Sequence, residues 1–249
     1  MKLFQRIFFA VLLAGLISGA VLAAIQAWRV TPLILAAEVY EDADPVAAAE
    51  AASNMDAAMA MPEHHHDAAA GDWKPTDGLE RTGLTVLADI LTALGFAFIL
   101  AAVSVLTGIP VTAANGVIWG LCGYLTFQLL PAFGLPPELP GMPAADLGAR
   151  QIWWWATALA TATALFGIAK FRSWPAGAIG AVLLLLPHVI GAPQTPEAAS
   201  GVPAGLASSF AASALTASAA FWLVLGPAYG WLSERLARAT EPQTKRVLA

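Results

Sequence analysis

The sequence predicts an all-α protein, a polytopic bundle of transmembrane helices. Three observations predict it. The 249 residues are 58% hydrophobic and 12% charged, whereas an ordinary soluble domain carries about 25% charged residues; so few charges cannot cover a soluble surface. The apolar residues fall into six runs, each close to the roughly 20 residues that cross bilayer hydrocarbon. Lysine and arginine gather on one side of those runs, as the positive-inside rule requires.

The runs cover about 7–30, 82–107, 112–132, 151–169, 175–192 and 206–232. Lys2 and Arg6 precede the first in the manner of a signal peptide. That run continues to Trp28, longer than a signal core, and is read as a retained span. The second holds Asp89, the only carboxylate well inside an apolar run, and the third carries a proline, Pro131, near its far end. The fourth begins with the aromatic run Trp153-Trp154-Trp155, the fifth is the shortest, and the sixth is rich in alanine and serine.

Six spans put both termini in the cytoplasm. The inner side then holds Lys2, Arg6, Lys170, Arg172, Arg235, Arg238, Lys245 and Arg246, and the outer side Arg29, Lys74, Arg81 and Arg150. Trp28 and the triple tryptophan mark the outer boundary, Trp174 and Trp231 the inner one. A five-span arrangement ranks second because it would leave the basic tail outside. Small residues, as in Gly15-x-x-x-Gly19 and at Gly116, Gly120 and Gly123, provide faces for close helix packing. Residues 1–249 thus form a single membrane domain.

The first outer loop, about 33–81, is the one sizeable extramembrane segment. It is acidic and holds Glu63-His64-His65-His66-Asp67 with Met55, Met59 and Met61 just before. Imidazole and carboxylate hold divalent transition metals, and thioethers suit Cu(I). Three adjacent histidines do not fix coordination geometry without support from a second layer of groups. The tract is therefore read as a capture station, with a solvated or pH-sensitive loop as the plainer alternative.

Polar groups inside spans are costly in lipid and point to function. Asp89, His188 and Gln128 all fall in the outer half of the membrane and could line one polar funnel. The plainer readings are an Asp89 that pairs with Arg81 or Arg150 or bonds to a Thr or Ser on a neighbouring helix, a His188 that satisfies a carbonyl freed by Pro187, and a Gln128 that bonds between helices. The single cysteine, Cys122, permits no intrachain disulfide. No basic patch suggests nucleic acid. A G-x-x-x-x-G-K-[ST] loop, an H-E-x-x-H helix, paired aspartates and a Ser/His/Asp set are all missing from the sequence. The expectation is a non-enzyme without a Walker-type ATP site.

Several motifs carry a family resemblance. Thr31-Pro32-Leu33-Ile34-Leu35-Ala36-Ala37-Glu38 follows the first run, and Asp77-Gly78-Leu79-Glu80-Arg81-Thr82 precedes the second. Leu135-Pro136-Pro137-Glu138-Leu139-Pro140-Gly141-Met142-Pro143 leads on to Arg150-Gln151-Ile152-Trp153-Trp154, and Pro187-His188-Val189-Ile190-Gly191-Ala192-Pro193 ends the fifth run. Together these resemble the CbtA family, integral-membrane subunits of a bacterial cobalt transporter. The resemblance implies Co2+ uptake for cobalamin synthesis, a bacterial cytoplasmic-membrane location, and a small single-span, His-rich CbtB-like partner. The family is usually described with five spans, from which the six-run reading departs. Carried onto this chain, the metal candidates are Glu63, His64, His65, His66, Asp67 and His188. Glu38, Glu80, Glu138 and Asp146 are further candidates, with Asp89 and Gln128 along the path. No catalytic residues and no tightly bound cofactor are expected; the ion is cargo, and lipid and a second copy of the chain are further neighbours. The alternative is a non-transporting metal-sensing or assembly subunit, with a membrane enzyme ranked below it.

Overall fold

A computed structural model describes residues 2–42, 75–76, 78–195 and 200–240. Every regular element among them is helical. The first is a continuous rod made of α1 (Lys2–Ile25), a π-helical segment (Gln26–Val30) and α2 (Thr31–Asp42). Helix α3 (Leu79–Thr107) follows. A second broken rod consists of α4 (Gly116–Tyr124), a π-helical segment (Leu125–Leu129) and the single turn α5 (Leu130–Ala132). The chain ends with α6 (Leu147–Phe171), α7 (Trp174–Ile190) and α8 (Ala204–Thr240).

Local chemistry sets the helix ends. Gly108 and Gly191, at φ 68° and 90°, close α3 and α7 with backbone that a side chain would strain. Asp146 caps α6 by accepting from the Ala149 amide, and Ser173 caps α7 by accepting from Ala176. Before α4, Asn115 accepts from the Thr112 amide at 2.7 Å and donates to the Pro110 carbonyl at 3.0 Å, so residues 112–115 form a tight turn.

Four helices are long and apolar enough to cross a membrane: Leu3–Tyr40, Leu79–Thr107, Leu147–Phe171 and Ala204–Ala239. Gly116–Ala132 and Trp174–Ile190 are shorter apolar helices. The six runs read in the sequence correspond to these six rods. The first run was expected to end near 30. Instead the helix continues to Asp42, so residues 33–42, expected at the start of a loop, are helical. Likewise the sixth extends from 204 to 240. At 1.5 Å per residue the first and last rods are roughly 55 Å long, longer than the roughly 30 Å of hydrocarbon. Their ends project beyond it.

The core lies where α1, α3 and α8 meet. Ala10, Val11, Ala14 and Leu22 pack there with Ala93, Ala97 and Leu100 and with Phe221, Trp222 and Leu225. Small residues let the backbones approach, which is the main source of helix attraction in lipid. A Cβ on Gly15 would fall 2.7 Å from Leu94, and one on Gly19 would fall 3.0 Å from Ala93. Helix α4 lies on α8, with Gly116 against Pro227 and Gly120 against the Trp222 carbonyl. Helices α6 and α7 pair with each other and join the rest through the Leu125–Leu129 segment and α5. At one end of the bundle Leu139 and Val202, from connecting segments, are buried with Val30 and Ala37 of the first rod.

Candidate ion path

The two π-helical segments share a local cause. Each ends two residues before a proline: Val30 before Pro32, and Leu129 before Pro131. Proline has no N–H, and its ring crowds the carbonyl four residues back. A π turn relieves this by widening the helix. The Thr31 amide bonds the Gln26 carbonyl, and the Leu130 amide bonds the Leu125 carbonyl, each five residues back. Such bulges re-aim side chains and recur at functional sites.

The first bulge aims Gln26 at Asp89. Gln26 Nε2 donates to Asp89 Oδ1 at 2.8 Å. Asp89 is 8% exposed, and its Oδ2 is buried with no partner among the described residues. An unmatched carboxylate oxygen held in a membrane helix is expensive, and a bound proton or a cation relieves it. Asp89 lies about 12 Å along α3 from Arg81.

The other carboxylate candidates among the described residues already have partners. Glu38 is ion-paired with Arg81, which joins the first rod to α3. Glu138 pairs with Arg150 at 2.8 Å. Asp146 Oδ1 is the helix cap, 2.8 Å from the Ala149 amide. Glu80 Oε2 accepts from the Thr76 amide at 3.1 Å and from the Thr76 hydroxyl. Because the Glu38–Arg81 side chains are about a third exposed, the pair contributes about 1 kcal/mol or less. Glu38→Arg and Arg81→Glu should each lower the thermal unfolding temperature slightly, and the double reversal should recover most of the loss. Equal losses in all three variants would show that the pair does not join the helices.

His188 stands apart from Asp89. Its ring sits edge-on to Phe133 and Trp153, with centroids at 6.1 and 5.8 Å. Trp153 Nε1 donates to the neighbouring Pro187 carbonyl at 3.2 Å, a satisfied backbone group beside the proline. His188 Nε2 is buried without a partner among the described residues. Gln128 lines a cavity of about 360 Å³ together with Glu138, Arg150 and Gln151. The structure therefore brings Gln128 and Glu138 together and gives Asp89 and His188 separate surroundings. The alternative of an Asp89 pair with Arg81 or Arg150 does not form: those arginines bind Glu38 and Glu138, and Asp89 takes Gln26 instead. Among the described residues no three His, Cys, Asp or Glu side chains form a metal-binding group. Glu63, His64, His65, His66 and Asp67 lie outside the described residues.

Sequence reasoning passed over Gln26. The signal was a glutamine inside an apolar run, five residues before Thr31-Pro32. Its pairing with a residue 63 positions away had no sequence trace.

Four apolar rods long enough to cross a bilayer, with Asp89 buried in one of them, define a multi-pass membrane protein. The family model described as "Probable cobalt transporter subunit (CbtA)" matches residues 4–234. The chain belongs to the CbtA family, whose description makes it a subunit of a cobalt transporter. No curated protein and no solved structure matches it.

Proposed function

We propose that this chain conducts a divalent cation, Co2+, through the membrane as one subunit of a transporter, with Asp89 as the ligand inside the bundle. The observation that supports this reading is the division of labour at Asp89. Gln26 holds one oxygen, and the other has no partner among the described residues, unlike Glu38 and Glu138. Glu63, His64, His65, His66 and Asp67 gather the ion outside the membrane. From there it passes the Glu38–Arg81 end of α3 toward Asp89, with Glu138, Gln128 and His188 along the rim. Both termini are cytoplasmic, the membrane is the bacterial inner membrane, and the partner is a small His-rich, CbtB-like span. Inward movement of a dication is favoured by the membrane potential, roughly 2.3 kcal/mol per charge per 100 mV, so the chain works without catalysis of its own. The metal supplied serves cobalamin synthesis.

Uptake of radiolabelled Co2+ into proteoliposomes tests the reading, with the chain alone and with its partner. Uptake that needs this chain supports it; Co2+ binding without uptake in either preparation would assign sensing or assembly instead. Replacing His64, His65 and His66 by alanine should depress uptake at limiting Co2+ and spare it at saturating Co2+. Unchanged uptake at limiting metal would remove the capture role.

A further inference from the structure

A second cavity, of about 350 Å³, opens on the flank of the bundle between α3, α4 and α6. Leu100, Thr126 and Trp222 form its buried floor. Its walls are successive turns of each helix: Ile99, Val103 and Thr107 of α3, then Ala162, Phe166 and Ala169 of α6. The exposed Ile118 of α4 stands at the opening.

Its hydroxyl and amide groups are spent within the chain, while the Trp222 indole N–H is buried with no partner among the described residues. Thr107 Oγ1 donates to the Val103 carbonyl at 2.7 Å, and Thr126 Oγ1 donates to the Cys122 carbonyl at 2.7 Å. Both ends of the Asn115 amide are bonded in the turn before α4. The lining thus offers an occupant apolar surface, and the occupant is apolar.

Length and rim charge point to a single alkyl chain. From Ile99 to Thr107 the α3 wall is about 12 Å long, close to the roughly 15 Å of one hydrocarbon leaflet. The α6 wall continues directly from Ala169 into Lys170 and Arg172, both exposed, so the open end of the cavity lies at a basic rim suited to a phosphate headgroup.

We propose that this cavity holds one acyl chain of a phospholipid from the leaflet at the Thr107 end of the bundle. The lipid fills the wedge between α3 and α6, which make few direct contacts there, and it belongs to the folded unit. Native mass spectrometry of the full chain, released from detergent after extensive delipidation, provides the test. Wild type and Leu159→Trp, which adds bulk on an exposed face away from the cavity, should both retain a phospholipid. Ala162→Trp should lower its occupancy roughly tenfold, a loss of about 1.4 kcal/mol of affinity. Equal retention by Ala162→Trp would overturn the proposal. A second measurement does not depend on that variant folding. A photoreactive residue at position 118, irradiated in membranes, should yield an adduct of phospholipid mass well above that from position 159. A protein adduct at 118, as from a partner helix, or lipid labelling equal at the two positions, would also overturn it.

Discussion

Asp89→Asn should cut Co2+ uptake at least tenfold at every external concentration while leaving the protein folded. Asparagine keeps an oxygen where Gln26 Nε2 donates at 2.8 Å, so the contact between the first rod and α3 survives. The change removes the negative charge and replaces the unpartnered Oδ2 with an amide. If Oδ2 is what the cation meets, the barrier rises at each concentration, and every 1.4 kcal/mol costs about tenfold in rate. The His64–His66 replacement should behave differently, since more metal rescues a capture defect. Gln26→Leu should also slow uptake and should cost about 1–3 kcal/mol of stability, because both buried oxygens then lack a donor. Proteoliposome flux across a range of Co2+, with circular dichroism and thermal unfolding on the same samples, separates these cases. Normal flux through a folded Asp89→Asn protein would make the Gln26–Asp89 bond structural.

Gly120→Leu and Gly226→Val should each collapse the α4–α8 contact. A Cβ on Gly120 would meet the Trp222 carbonyl oxygen, and a Cβ on Gly226 would meet the carbonyl oxygen of Gly116. Both obstacles are backbone, which cannot rotate away as a side chain can. Overpacking a side chain into such a site costs about 1–3 kcal/mol, and backbone collisions lie at the upper end. A loss of roughly 3 kcal/mol corresponds to about 10 °C in the unfolding temperature of a domain this size. Gly95 is the control. Nothing lies within 4 Å of a Cβ there, and Gly95→Leu should leave the transition within a few degrees. Wild-type-like melting of Gly120→Leu would mean that the α4–α8 contact is looser than described.

These two expectations differ in how far the sequence foreshadowed them. Gly116, Gly120 and Gly123 were visible as a small-residue face, because one-turn spacing places such residues on one side of a helix. Their partner was not visible, because nothing local to α4 specifies Trp222 and Gly226 a hundred residues on. Asp89 stood out because charge is rare in an apolar run. Its partner did not, because Gln26 reaches it only through a bulge that Pro32 imposes. Glu38, Glu80, Glu138 and Asp146 looked alike as sequence and turned out to be two ion pairs and two helix-end bonds.

By itself the sequence determined the class of structure. Too few charges for a soluble surface, in runs of bilayer length, leave a helix as the means of satisfying the backbone in lipid. It also placed prolines, glycines and caps where helices stop or widen, since those effects act within a few residues. Only the tertiary structure decided which polar groups are already satisfied, and that Asp89 keeps an oxygen without a partner among the described residues. Hydrogen bonds and ion pairs between helices depend on rotation and register, and those are settled by packing between segments far apart in the chain.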